Sequence, residues 1–350
     1  MQERNFILTD VMKTGDHLQL ESFINFSDIP GQQFDLTGEW YTLQQYDLKN
    51  YTRRIAFIDH HYSNDRVWNN NHYWQDLKDR TEYLDQMGFV FVVANPWESR
   101  HNIESLHKLD IDKNLYYWSG GVSWFWWMMY ERYKNTDLKF DHSNKQYDFF
   151  YLNKYPRSHR QKLFDRLSQA GLLDCSLYSF LDRKIRLHKD YELPWVDVDN
   201  YPRYGHDRDI YEKPYNHSAY NIVSETHDRG ETFITEKTWK SMIAQQIFVV
   251  HGKQHYLKQL RELGFQTFNN TFDESYDLEA NHDRRIDKIV DLCHWLKKQD
   301  AQRLYSVTED IRKHNAAHFF NESALTKTVN ETVLGLLKFF DGSQVSSRER

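Results

Sequence analysis

Apolar residues in this chain recur in short bursts between polar stretches, and the period within each burst predicts its element. Residues 147–152 and 247–250 are runs of β-forming side chains short enough for strands buried in a sheet, and Val223 closes another such run. Between them the period lengthens. Leu163, Phe164 and Leu167 share one helical face, with Pro156 suited to a first helical turn and Gly171 to a C-terminal stop. Trp239, Met242 and Ile243 share another face, behind Thr235, whose hydroxyl suits an N-cap. The N-terminal half alternates in the same way. Residues 54–59 are a strand candidate, Trp74, Leu77, Leu84 and Met87 mark a helix, and 89–94 reads as a buried strand. A further strand is expected at 115–118, ahead of a helix rich in Trp and Met, and helices at 279–298, 302–315 and 323–340 close the chain.

This alternation predicts the α/β class, with parallel sheets covered by helices on both faces. At 350 residues the chain exceeds what one core of about 250–300 residues supports, so two Rossmann-like domains are expected. The polar stretch 134–145 marks their boundary. The domains then run over 1–140 and 141–320, followed by a C-terminal helix at 321–341. Residues 342–350, polar and without aromatics, are expected to form a disordered tail.

Aromatic content of 16% is enough for large cores with rings to spare for sugar faces. Of the two cysteines, Cys175 and Cys293, the second shares an apolar helical face with Ile286, Ile289, Val290 and Leu296, which predicts a buried, inert thiol. No secretory leader is visible at the start, and the longest apolar runs, 124–130 and 89–94, fall short of the ~18 residues that span a bilayer. A cytoplasmic protein is expected. The net charge of -6 weighs against duplex nucleic acid as the main partner, since such affinity comes largely from phosphate neutralisation, although a local basic groove is compatible with it.

The 18 histidines show no His-Glu-x-x-His spacing, and no Cys-x-x-Cys is present. Asp110 with Asp112 and Asp197 with Asp199 form Asp-x-Asp triplets of a kind that an acid-rich chain produces by chance. No metal is predicted. The absence of Gly-x-Gly-x-x-Gly and of a Walker lysine counts against dehydrogenases and P-loop enzymes. The stretch 188–218 holds Trp195, Tyr201, Tyr204, Tyr211 and Tyr215 with little periodicity, as expected of an ordered lid, an acceptor wall or a loop packed on its own domain.

Chemistry concentrates in 223–252. A helix beginning at Thr235 presents unpaired N–H groups and a partial positive charge, where phosphate binds readily, and Lys237 adds a full charge. Glu236 would repel phosphate, but its carboxylate suits the vicinal diol of a ribose. A second such helix start lies upstream, where Asn153, Arg157, His159 and Arg160 fall between strand and helix as a cationic mouth. The alternative reading of those cations is that they are solvated or paired with nearby carboxylates.

The stretch resembles the donor-binding motif of the alpha-1,3-fucosyltransferases. Their C-terminal domain carries a Phe-Glu-Asn-Ser loop, then Tyr-Val-Thr-Glu-Lys, then a helix and an apolar strand ending in Gly. The matching residues are Ser224-Glu225-Thr226-His227, then Phe233-Ile234-Thr235-Glu236-Lys237, then Gly252. The resemblance, which extends over 147–268, implies that Glu236 holds the donor ribose and Lys237 its diphosphate. It also implies that Arg157 or Arg160 contacts the diphosphate, with Asn153, Glu225, Thr226, Phe233 and Thr235 completing the site. That family uses GDP-fucose. Here Thr226 replaces its Asn and Phe233 its Tyr, and the loop is one residue longer, so the donor is expected to be a GDP- or UDP-linked sugar.

The expected function is transfer of a sugar from a nucleoside diphosphate to a hydroxyl on a glycan or small molecule. Two sheets facing across a cleft would make the GT-B arrangement, with a donor-binding C-terminal domain and an acceptor-side N-terminal domain. An inverting reaction needs a general base on the acceptor side, and Asp59 or His60, which follow the strand at 54–59, are the candidates; a retaining reaction would need none. Two alternatives stand beside this: a viral glycosyltransferase acting on hydroxylated bases in DNA, and a carbohydrate-binding or interaction protein without catalysis.

Overall fold

The computed structural model describes residues 4–10, 32–37, 40–59, 71–94, 115–118, 121–153, 157–180, 208–228 and 232–340. Contacts divide the chain into two compact units, Met1–Trp127 with Ser323–Arg350, and Met128–Glu322. The fold is mixed α/β with parallel sheets.

In the first unit, strands β1 (Arg4–Asp10), β2 (Gln32–Thr37), β3 (Arg53–Asp59), β4 (Val90–Ala94) and β5 (Leu115–Trp118) form one parallel sheet in the order β2-β1-β3-β4-β5. Ile55, Ala56, Phe57 and Ile58 are all buried, so β3 is covered on both faces, which is why it reads as a continuous apolar run. Helix α1 (Asn71–Gln86) joins β3 to β4 and presses Leu77 and Leu84 onto Ile7, Ile58, Phe89 and Phe91. Helix α2 (Gly121–Tyr133) follows β5 and is buried from Ser123 to Tyr130.

In the second unit, strands β6 (Tyr147–Asn153), β7 (Ser176–Phe180), β8 (Ser218–Ser224) and β9 (Ile247–His251) form a second parallel sheet in the order β7-β6-β8-β9. Its helices are α3 (Ser158–Gln169), α4 (Glu212–His217), α5 (Glu236–Ile243), α6 (Tyr256–Glu262), α7 (His282–Lys297), α8 (Ala301–Val307) and α9 (Glu309–Phe319). Helix α10 (Glu322–Phe340) then groups with the first unit, where Thr332 Oγ1 and Ser123 Oγ share a hydrogen bond of 2.9 Å.

The strand order fixes where a ligand can sit. The chain leaves β6 through α3 toward β7 and leaves β8 through α5 toward β9, in opposite directions from neighbouring strands. Right-handed crossovers put those helices on opposite faces; α3 packs with α7, and α5 with α9. The sheet therefore switches direction between β6 and β8, and the carboxyl ends of strands at such a switch point are where open α/β sheets generally bind their ligands.

Several expectations are corrected. The division falls inside α2 rather than in 134–145, because that polar stretch belongs to the second core: Phe140 packs with Phe150, Tyr215 and Ala244, and His142 Nε2 meets the Ala244 carbonyl at 3.0 Å. The helix expected at 302–315 breaks at Thr308, whose hydroxyl turns back to the Leu304 carbonyl, giving α8 and α9. In the stretch expected to be irregular, the described residues include α4, which buries Tyr215. Strands β1, β2 and β7 carry no expectation: in β2 and β7 polar residues interrupt the apolar ones, and the apolar run of β1, Phe6 to Leu8, is only three residues long. Residues 342–350 lie outside the described residues. No helix among the described residues is long and apolar enough to cross a membrane.

Candidate functional site

The carboxyl ends of β6, β8 and β9 gather most of the residues singled out from the sequence, and Glu225, the first residue after β8, organises them. Its side chain is fully buried. Its carboxylate accepts from the Thr226 N–H at 3.3 Å, the Thr235 N–H at 3.1 Å, the Thr235 hydroxyl at 2.6 Å, the Thr238 hydroxyl at 2.8 Å and the Tyr256 hydroxyl at 2.7 Å. Its carbonyl accepts from His159 Nε2 at 2.9 Å and from Arg160 Nε and Nη2 at 3.3 and 3.2 Å. Residues in the first turns of α3, α5 and α6 are thus tied to one point on the sheet edge. Buried polar groups without partners are costly, and here the Glu225 carboxylate meets five donors.

Gly252 makes the Tyr256 contact possible. A Cβ at that position would stand 2.7 Å from the Tyr256 ring, so only glycine lets the ring lie against the backbone and its hydroxyl reach Glu225.

Thr235 caps α5 from an extended conformation, as expected. Beyond it, Lys237 Nζ lies 2.6 Å from Glu236 Oε1, 3.0 Å from Thr235 Oγ1 and 3.3 Å from Thr226 Oγ1. The Lys237 side chain is 26% exposed and that of Glu236 8%. Burial alone would raise the Glu236 carboxyl, but Lys237 and Lys240 overcome it and hold the group down at about 2. The acid is therefore ionised at neutral pH inside the protein.

Arg157 is the N-cap residue of α3 and gives that helix no side-chain cap. Its guanidinium forms no hydrogen bond or ion pair with any described residue; burial, reinforced by Arg160, lowers it to about 10, so it stays charged. His159 and Arg160 lie within the first turn of α3 rather than ahead of it, and both are buried. Asn153 ends β6 beside Tyr151, and its buried amide makes no hydrogen bond of normal length with a described residue. No family model and no curated protein matches this chain.

A polar cluster forms around Asp228, and of its members only His159 stands out in the sequence. Asp228 Oδ2 is 2.8 Å from His282 Nε2, and Asp228 Oδ1 is 3.5 Å from His159 Nδ1. The His251 ring stands 5.5 Å from that of His159 and 5.3 Å from that of His282, with Nδ1 3.3 Å from the Ser224 hydroxyl. Burial pushes His159 down to about 4 and His251 well below its usual range, so both rings are neutral at pH 7. For Asp228, burial acts upward, but His282, 2.8 Å away, and the surrounding imidazoles prevail and hold its carboxyl below the usual range. Among the described residues, no group of three or more His, Cys, Asp or Glu side chains is arranged to hold a metal ion.

Two residues expected at the ligand are covered instead. Glu225 has its carboxylate committed to the protein, and Phe233 is buried, with its ring 5.7 Å from that of His227. Asp59 ends β3, beside the switch point of the first sheet, between β1 and β3. His60, both Asp-x-Asp triplets and the rings of 188–207 fall outside the described residues. Sequence reasoning passed over Thr238, Tyr256, Asp228, His251 and His282. The one signal available was Gly252 four residues ahead of Tyr256, a spacing that brings a ring back over a glycine.

Proposed function

We propose that the chain is a nucleotide-sugar glycosyltransferase whose second unit holds a GDP- or UDP-linked donor. The carrying observation is the switch point between β6 and β8, where the N-terminal turns of α3 and α5 both close on Glu225, through His159 and Thr235, with Arg157 at the N-cap of α3 and Lys237 in the first turn of α5. Helix starts favour anions, and the two cations supply charge suited to a diphosphate. Glu236, ionised and next to Lys237, suits the ribose diol. In this reading the fold is of the GT-B type, like that of the alpha-1,3-fucosyltransferases. The first unit supplies the acceptor side, and Asp59 or His60 takes the proton from the attacking hydroxyl in an inverting transfer. The acceptor is a glycan or small-molecule hydroxyl, no metal is required, and the protein works in the cytoplasm.

The test is a melting screen of the full chain against UDP, GDP, CMP and their sugars. A ligand present at about 100 times its dissociation constant adds roughly 2.7 kcal/mol of stability. A rise with one diphosphate nucleoside and not with CMP is the expected result; no response to any of them removes the proposal.

A further inference from the structure

The Thr235 hydroxyl stands between two opposite charges. It lies 2.6 Å from Glu225 Oε2, and since a carboxylate only accepts, the hydroxyl spends its single proton there. Its lone pairs are what remain for Lys237, whose Nζ approaches to 3.0 Å and whose backbone N–H lies at 3.5 Å. The direction of each bond in the chain from Glu225 through Thr235 to Lys237 is therefore set at its buried end.

We propose that Glu225 is a positioning residue: by fixing the polarity of the Thr235 hydroxyl it holds the Lys237 ammonium at the switch point of the sheet, ready for a phosphate oxygen. This rests on the donor-binding reading above. Glutamine at this position has the shape of glutamate with an NH₂ donor in place of one accepting oxygen. With its oxygen turned toward the Thr235 N–H, Thr238 and Tyr256 donors, its NH₂ arm faces the Thr235 hydroxyl, which loses its acceptor there and, in accepting from the NH₂, keeps one lone pair for Lys237 and a proton with no fixed direction. The ammonium would keep Glu236 and Thr226 but lose the ordered Thr235 contact that fixes its place. Aspartate keeps the charge but sits one methylene short of Tyr256 and Thr238.

The test measures binding of GDP and UDP to the full chain by calorimetry, at a temperature where circular dichroism shows each variant folded. The variants are Glu225→Gln, Lys237→Ala and the double substitution. Positioning predicts at least tenfold weaker nucleotide binding by Glu225→Gln, and less than a further threefold loss when Lys237→Ala is added, because both remove the same contact. A double variant that loses the product of the two single factors overturns the proposal, as does a Glu225→Gln protein that binds within threefold of the wild type. Wild-type protein that binds neither nucleotide overturns the donor-binding reading itself. Should Glu225→Gln not fold, Thr235→Ser and Thr235→Val decide. Serine keeps the hydroxyl and is expected to bind as the wild type does, valine to weaken binding as much as Lys237→Ala. Equal binding by the two sinks the role assigned to Glu225.

Discussion

Lys237 Nζ lies 2.6 Å from Glu236 Oε1, and with the Thr235 and Thr226 hydroxyls at 3.0 and 3.3 Å every N–H of the ammonium has a partner within the protein. A phosphate oxygen reaches Lys237 by taking the place of one of these partners. Glu236 is the one a ribose diol can draw away, so in the proposed donor complex the acid and the amine exchange each other for the nucleoside and its phosphate. Lys237→Ala is expected to abolish the nucleotide-dependent rise in melting temperature. It should also lower the apo stability by about 1–3 kcal/mol, because Glu236 is left buried without its nearest cation. Adding Glu236→Gln should recover part of the apo loss and none of the ligand response, as read by thermal melts with and without nucleotide.

The same pair predicts an acid limb. Glu236 titrates near 4.5 when unfolded and near 2 when folded, so its contribution is complete above about 4.5 and fades as pH falls from there through about 2. Within that window a single such group changes stability by about 1.4 kcal/mol per pH unit. Denaturant titrations of the wild type and Glu236→Gln should converge on acidification across this window, and parallel curves would contradict the assignment.

His159 predicts a second, higher limb of the same sign. Its folded value near 4 lies below the ordinary 6.5, so the unfolded chain takes up the proton first and stability declines as pH drops from about 6.5 toward 4. Replacing His159 by Gln, which retains a donor for the Glu225 carbonyl, should shallow the melting-temperature profile between those values.

Arg157 separates binding from folding. Since its guanidinium forms no hydrogen bond with a described residue, Arg157→Ala should lower the apo stability by no more than about 0.5 kcal/mol. Nucleotide affinity should fall about 10- to 100-fold by calorimetry, matching the ~1.5–3 kcal/mol of a charge-assisted hydrogen bond. Lysine should restore it only in part, lacking the planar fork.

Gly252→Ala tests the packing beneath the site. The added methyl meets the Tyr256 ring at 2.7 Å and forces it outward, withdrawing a donor from Glu225. A loss of about 1–3 kcal/mol is expected in chemical denaturation. Gly252→Ala with Tyr256→Phe should cost less than the two changes summed, because they break the same bond.

The cysteines give a simple check on burial. Cys175 is exposed, whereas Cys293 is buried and its thiol is pushed up by loss of solvent. A thiol reagent should label one cysteine in the native protein and both in denaturant.

The helix starting at Thr235 and the strands β6 and β9 were legible because each is a local pattern: an N-cap hydroxyl ahead of a periodic apolar face, or an unbroken run of β-formers. Strands β2 and β7 were not, since a short strand whose apolar residues alternate with polar ones has too little local signal to stand out from a loop. Cys293 was legible for the same reason as the helices, through its place on an apolar face.

What the sequence determined alone was the class of the fold and the chemistry on offer at 235–237, because capping, periodicity and charge act between residues a few positions apart. What only the tertiary structure decided was the division of labour among those groups. Glu225 and Glu236 are both acids at the same sheet edge, yet one is enclosed by donors from Thr238 and Tyr256 and the other answers to Lys237. That difference arises from strand order, which brings α3, α5 and α6 to one point, and no spacing along the chain encodes it.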